Sequence, residues 1–268
     1  MSDPLERLGK ILALADNGST EEERDSAMRA AEEMAAALGV ELAVARARHA
    51  ERSRRETPVK GRFKVGDERS RYNAYLVELF CAIADPHDVL VTVGWRNLYV
   101  FTYGLPSDQA IVEALYGVAA VRMAADADAA LRRGLQKTAG YYGEPVDGRV
   151  YRAHFYRGYK SELQTRLWRA RHAAIRNAPA AGPGQVGTDI VLRDKAQEVR
   201  EFYQDETRHL GLGTWKPPQR DDYVRDAVDQ GAASAAATDL QLDPKIGGSA
   251  APELSAQAAG DDHDNRKD

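Results

Sequence analysis

Residues 89–103 read Val-Leu-Val-Thr-Val-Gly-Trp-Arg-Asn-Leu-Tyr-Val-Phe-Thr-Tyr, and the predicted fold class depends on them. Its two halves, 89–93 and 98–103, are dense in β-branched and aromatic residues, which is typical of β-strands. The four residues between them, Gly-Trp-Arg-Asn, are too polar and too short for anything but a turn. The stretch therefore predicts a β-hairpin, and Trp95 at its tip is a candidate contact for a partner protein.

Segments with helical periodicity flank this hairpin on both sides. Residues 70–84 predict an apolar helix, which Pro86 prevents from continuing. Residues 107–133 and 150–176 predict two long helices, and further helices are expected over 194–210 and from about residue 220. Residues 59–65 fit a modest strand, whereas 190–192 fit either a short strand or the entry to a helix.

The first 50 residues predict a helical hairpin. Apolar side chains recur at helical spacing over residues 4–15, and Ser19 or Thr20 begins a second helix with a glutamate three residues on. Gly39 is expected to end that helix, because glycine adopts the left-handed conformation of a C-terminal cap. A short third helix would follow from Glu41.

The predicted fold class is α+β and helix-rich, with an N-terminal helical hairpin and a small β-hairpin or sheet packed by long helices. The expected organisation is a helical hairpin domain over 1–50, a basic linker or edge strand over 51–66, and an α+β domain over 67–230. Residues 231–268 have few large apolar side chains, a composition that predicts a disordered tail.

Composition limits the class of protein. Apolar residues make up 43% of the 268 residues and charged residues 29%, which are ordinary globular proportions. Because no apolar run approaches the ~20 residues that span a bilayer, and the N-terminus lacks the order of a signal peptide, we expect a cytoplasmic protein with no membrane partner. The single cysteine, Cys81, excludes an internal disulfide and is expected to be a small core residue.

Several motifs resemble a known family. The first is Leu8 to Ala15, followed by Asn17-Gly18-Ser19-Thr20-Glu21-Glu22-Glu23 and the helix from Ala27 to Gly39. It resembles the N-terminal helical domain of an uncharacterised bacterial and phage family, a domain of unknown function. Tyr103 to Asp108, His154 to Tyr159 and Ile190 to Ala196 are similar to the companion domain often joined to it. The resemblance implies this domain order, a cytoplasmic setting and phage-related ancestry, but no catalytic residues.

A first basic region lies between residues 46 and 64. Eight cations stand there against Glu51 and Glu56, a net charge of +6, although residues 1–230 as a whole are neutral because the −4 of the chain equals the −4 of residues 231–268. Phosphate contacts from such a region would release counterions. The alternative is a solvated linker whose arginines pair with the acidic helix before it. The candidate contacts are Arg46, Arg48, Arg52, Arg54, Arg55 and Arg62.

A second basic region is the predicted helix over 150–176. It carries seven cations against one acid, Glu162, and aromatic residues are interleaved with the cations. The apolar members recur every four residues and are expected to be core, so that the arginines face outward while base stacking is not expected. The candidate phosphate contacts are Arg152, Arg157, Arg166 and Arg169.

No motif of a known chemistry is present. The six histidines are scattered, without metal-ligand spacing, and neither a nucleophile elbow nor a phosphate-binding glycine loop occurs. We therefore predict no metal and no cofactor, and nothing in the sequence indicates an enzyme. A nuclease built on carboxylates from separate elements stays open, because sequence does not show convergence in space.

Three functions are compatible with these residues. The first hypothesis is a non-catalytic nucleic-acid-associated protein that uses the two arginine-rich regions. The second is a protein-interaction adaptor that uses the N-terminal hairpin and Trp95. The third is a metal-dependent hydrolase.

Overall fold

The structure, a computed structural model, describes residues 6–11, 21–48, 56–182, 186–217 and 223–236. Within these ranges the helix-rich α+β fold is confirmed. The strands are β1 (Val59–Lys64), β2 (Leu90–Val93) and β3 (Tyr99–Gly104). The helices are α1 (residues 6–11), α2 (Glu21–Arg48), α3 (Asn73–Ala84), α4 (Pro106–Arg132), α5 (Gly148–Asn177), α6 (Thr188–Thr207) and α7 (Arg225–Ala236).

The strands form one antiparallel sheet in the order β1-β3-β2. The hairpin of β2 and β3 confirms the prediction from residues 89–103. The segment over 59–65, predicted as a modest strand, forms the edge strand β1. It pairs with the edge of β3 that β2 leaves open. Its side chains alternate between polar and apolar, as a strand with one buried face requires.

One face of the sheet is buried against α3 and α4. Phe63 of β1 lies 5.3 Å from the ring of Phe80 on α3 and 5.5 Å from that of Tyr116 on α4. Val100 of β3 is fully buried beside them. Since side chains alternate along a strand, the intervening residues of β1 and β3 belong to the opposite face of the sheet.

The long helix α5 packs against α2, α3 and α4, and α7 packs against α5. Its predicted apolar stripe is confirmed as core, from Tyr151 to Leu167. Gly158 of α5 and Gly231 of α7 let the two backbones come into contact, since a Cβ at either position would collide with the backbone of the other helix. This contact explains why α7 extends to Ala236, beyond residue 231 where we predicted the tail to begin. Residues 237–268 lie outside the described part of the chain.

Helix α2 differs from its prediction, because it continues through Gly39 to Arg48 instead of ending at Gly39, and the residues from Glu41 to Arg48 belong to it rather than to a separate third helix. A glycine inside a helix costs about 1 kcal/mol. Here Gly39 faces Asp108, the nearest side chain to its Cβ position at 3.8 Å. Ala31, Ala35 and Leu38 belong to the same core as α3–α5. Packing is thus continuous across residue 50, while the predicted division into domains stays a prediction.

Helix α6 crosses the other face of the sheet. It includes residues 190–192, for which a strand was an alternative, and it packs on α2 through Val191 and Leu192. Its last turns reach β3, where the ring of Tyr203 lies 5.0 Å from that of Tyr103. The sheet is therefore covered at one end by α6.

Candidate nucleic-acid interface

The face of the sheet opposite α3 and α4, hereafter the outer face, carries three cross-strand pairs, each of a cation and an aromatic ring. Strand β1 contributes a cation at every second position and β3 contributes an aromatic ring at every second position. The antiparallel register places them opposite one another. The pairs are Lys60 with Tyr103 (first pair), Arg62 with Phe101 (second pair) and Lys64 with Tyr99 (third pair).

The second and third pairs are open to solvent. Arg62 and Lys64 are exposed, and Tyr99 and Phe101 are half-buried. The guanidinium carbon of Arg62 lies 4.0 Å from the centroid of the Tyr99 ring, within the range of a cation–π interaction. Among the described residues, Arg62 and Lys64 have no carboxylate within ion-pair distance. The two pairs therefore present positive charge and aromatic surface side by side.

The hairpin turn extends this surface at its Tyr99 end. Trp95 is 69% exposed, which agrees with its predicted place at the tip. The guanidinium of Arg96 lies 4.3 Å from the Trp95 ring. Arg96 and Asn97 both have positive φ, of 53° and 58°, which is rare for residues other than glycine. The Asn97 side chain is held there by the indole N–H of Trp215, at 2.9 Å from its Oδ1.

Two arginines predicted to contact phosphate are instead paired inside the protein. Arg152 forms an ion pair with Asp128 of α4 and lies over the ring of Tyr72. Arg166 binds Glu32 of α2 at 2.8 Å and also donates to the carbonyl oxygen of Ala235. Because both guanidinium groups join α5 to neighbouring helices, they do not face outward as predicted, and their contact with phosphate stays a prediction.

Of the other arginines predicted to contact phosphate, some lie in the described part of the chain and some do not. Arg157 is half-buried and Arg169 is exposed, and neither forms an ion pair with a described residue. Arg52, Arg54 and Arg55 lie outside the described residues, and so do the side chains of Arg46 and Arg48. Of the sequence-predicted candidates, the structure brings only Arg62 and Trp95 together on the sheet within the part it describes.

A buried charge network lies beneath the covered end of the sheet. The ammonium of Lys195 on α6, 5% exposed, is 2.9 Å from Asp108 and 3.1 Å from Asp88. Arg171 of α5 binds both carboxylate oxygens of Asp88, at 2.9 and 2.8 Å. Burial raises the pKa of Asp108, and Lys195 opposes that rise. Two cations thus neutralise two carboxylates at the junction of α4, α5 and α6.

His87 adjoins this network. Burial, reinforced by Lys195 and Arg171, lowers its pKa to about 3, so the ring is neutral at physiological pH. The cavity between His87, Asp108 and Lys195 has a volume of about 10 Å³, roughly the space for one water molecule. The turn predicted over residues 85–88 is confirmed, with Asp88 at a φ of 59°. The arrangement supports structure rather than a pocket for a substrate.

The segment from Tyr103 to Gln109, which contains one of the motifs behind the family resemblance, links the sheet to the start of α4 through polar contacts. Ser107 donates to Glu56 at 2.7 Å, and Asp108 binds Lys195. Gln109 accepts from Thr102 at 2.7 Å and donates to the carbonyl oxygens of Val59 and Gly104, each at 2.9 Å. Since these are three consecutive polar residues with internal partners, the motif fixes β1, β3 and α6 to one helix terminus.

Asp88 and Asp108 do come from separate elements, as the hydrolase hypothesis requires. The space between the two carboxylates is taken by the ammonium of Lys195. In the ranges that the structure describes, no group of three or more His, Cys, Asp or Glu side chains could hold a metal ion.

A groove with a volume of about 700 Å³ runs between α2 and α5. It is lined mainly by small apolar side chains, among them Ala37, Val40, Val44, Ala170 and Ala173. Its rim carries the acidic residues Glu33 and Glu41 and lacks the basic character of the outer face.

The chain matches no protein-family model, no curated protein and no solved structure. The resemblance to the bacterial and phage family therefore stays a prediction from its motifs. Over the residues that the structure describes, no helix combines the length and the apolar character needed to cross a membrane.

Proposed function

We propose that this protein binds nucleic acid through the outer face of its sheet. The observation that carries the proposal is the repetition of cation–aromatic pairs across β1 and β3, two of them open to solvent. Nucleic-acid-binding surfaces that accept a single strand combine positive charge for the phosphates with aromatic side chains on which the bases stack. Both features occur here on the same side of the same two strands.

The spacing of the pairs supports a short single-stranded footprint. Residues at alternate positions of a strand are about 7 Å apart, so the three pairs extend over about 14 Å. Exposed aromatic residues on a sheet face stack two or three bases in known RNA-binding modules. The aromatic rings of this chain occupy a comparable position on its sheet. A duplex would keep its bases away from these rings, so the proposal concerns single strands.

Local charge also supports the proposal. Arg62, Lys64 and Arg96 have no acidic partner among the described residues, whereas Arg152, Arg166 and Arg171 are each bound to a carboxylate of a neighbouring element. Free cations are the ones that gain from phosphate contact, since ion-paired cations would first have to lose an internal partner.

Binding of fluorescent single-stranded DNA and RNA of random sequence tests the proposal, measured by anisotropy over a range of salt concentrations. We expect association at low salt that weakens as salt rises. Arg62→Glu should reduce affinity and lower the slope of log affinity against log salt by about 0.7, the value for one phosphate contact with a single strand.

Arg132→Glu is the matched control, because it reverses an exposed arginine of α4 that forms no ion pair with a described residue and is not a candidate contact. Its effect on the slope should be much smaller. Equal losses from the two variants would show that net charge alone matters, and no association of the wild-type protein at low salt would remove the proposal.

The protein-adaptor hypothesis is favoured by a different feature, the apolar groove between α2 and α5. Ala173→Glu would place a charge in that groove. If the protein self-associates through it, light scattering should show a lower mass for the variant; an unchanged mass would speak against self-association at this groove.

A further inference from the structure

The three cation–aromatic pairs are equivalent in sequence but not in exposure. Tyr99 and Phe101 are half-buried, whereas Tyr103 of the first pair is 1% exposed. The difference comes from the end of α6. Tyr203 meets the Tyr103 ring edge-on, with centroids 5.0 Å apart, and Phe202 lies 6.4 Å from the same ring.

The cation of the first pair is contacted by the same turns of α6, although Lys60 itself stays exposed. The ammonium of Lys60 lies 3.7 Å from a carboxylate oxygen of Glu206. The end of α6 therefore already contacts this part of the outer face. Two of its aromatic rings pack on the ring of Tyr103, and its Glu206 carboxylate lies beside the Lys60 ammonium. These are the two kinds of contact that a base and a phosphate would make at the open pairs.

We infer that the nucleic-acid site includes Lys60, the cation of the first pair, and that Glu206 in the last turn of α6 occupies it as an internal competitor. The inference rests on the proposed function of the outer face. A single strand bound at the second and third pairs displaces Glu206 from Lys60 when it extends to the first pair. The end of α6 thus limits both the length and the affinity of the bound strand.

The contacts suit such an exchange. Lys60 and Glu206 are 41% and 39% exposed, and ion pairs of that exposure are weak and screened by salt. By contrast, α6 is anchored further back by Lys195, which is buried between Asp88 and Asp108. The end of the helix can therefore give up one contact while its middle stays in place.

Glu206→Gln tests the inference directly, because it keeps the shape of the side chain but releases Lys60. We expect tighter binding of the same single-stranded oligonucleotides at low salt, by several-fold. We also expect the salt slope to steepen by about 0.7, since one more cation contacts phosphate.

Glu201→Gln is the control, since it removes an exposed negative charge of the same helix that interacts with Gln197 and not with Lys60. In a protein that carries Lys60→Gln, the further change Glu206→Gln should bring no gain in affinity, as a double-mutant cycle of a direct pair requires.

The outcomes separate the two proposals. If the wild-type protein does not bind, the proposed function and this inference fall together. If it binds and Glu206→Gln behaves like Glu201→Gln, or the gain survives the loss of Lys60, the inference is wrong while the proposed function stands.

Discussion

The Arg62 guanidinium lies over the Tyr99 ring at 4.0 Å, and the two residues, 37 positions apart in the chain, come from the neighbouring strands β1 and β3. This contact keeps the guanidinium of Arg62 against the Tyr99 ring, although the residue as a whole stays exposed. An arginine held in this way keeps its N–H donors free at its edge, and so it can contact a phosphate while its face contacts a ring.

Tyr99→Leu should weaken the binding of single strands. The leucine keeps an apolar side chain but removes the stacking surface, which is worth about 1–3 kcal/mol per base, or roughly 5- to 150-fold in Kd. Tyr141→Leu, on the loop between α4 and α5, is the control because that tyrosine is 90% exposed and away from β3 in sequence. Anisotropy titrations compare the two, and a similar affinity for both variants would argue against stacking at Tyr99.

The sequence predicts much of this architecture and part of the site. The hairpin, the long helices and the cation-rich strand all follow from local patterns, since composition and periodicity act over a few residues. Which strand pairs with β3 does not follow, because pairing depends on contacts distant in the chain. The alternation of cations over 60–64 and of rings over 99–103 was visible, but only the register shows that they stand opposite one another.

The error on α5 has a similar origin. The arginines of the helix over 150–176 are indeed concentrated, and its apolar stripe was predicted correctly. Their carboxylate partners lie on other elements, Asp128 on α4, Glu32 on α2 and Asp88 before β2. A net charge counted along one helix cannot include neutralisation by groups that only the fold brings near.

Lys195→Met should destabilise the protein strongly. The methionine fills a similar volume but leaves Asp88 and Asp108 without the cation between them, and breaking a buried ion pair by removing one partner costs about 3–5 kcal/mol. Urea unfolding measures the loss. Arg193→Met, at an exposed position two residues earlier, should change the free energy of unfolding by less than about 0.5 kcal/mol. A loss for Lys195→Met no larger than this would contradict the role given to the network.

Glu32 should make the free energy of unfolding depend on pH. Burial, opposed by Arg166, raises its pKa from 4.5 to about 7. The folded protein therefore holds this proton more tightly than the unfolded chain, so the contribution of Glu32 is largest below pH 4.5 and is lost as pH rises towards 7.

Glu32→Gln should remove the loss of stability that the titration of Glu32 causes as pH rises towards 7. His87 acts in the opposite sense below pH 6.5, since its pKa is lowered to about 3, so the quantity to measure is the difference between variant and wild type across pH 4–8. Exposed Glu33→Gln serves as the control. A difference that stays constant over this range would show that Glu32 does not titrate as stated.

Two helical glycines should respond in opposite ways to replacement by alanine, because only one of them lies at a helix–helix contact. Gly158→Ala should destabilise the protein, because its Cβ would collide with the carbonyl of Val228. Gly117→Ala, on the open side of α4, should stabilise by about 0.5–1 kcal/mol because alanine is the better helix former and nothing lies within 4 Å of its Cβ. Thermal unfolding followed by circular dichroism measures both, and a stabilising Gly158→Ala would contradict the packing described.

The most direct test of the account is to locate a bound strand. Single-stranded oligonucleotides carrying 5-iodouracil can be cross-linked to the protein by light and the attachment sites mapped by mass spectrometry. We expect attachment to Tyr99, Phe101 or Trp95. Attachment confined to α5, or to residues outside the sheet and its hairpin turn, would contradict it.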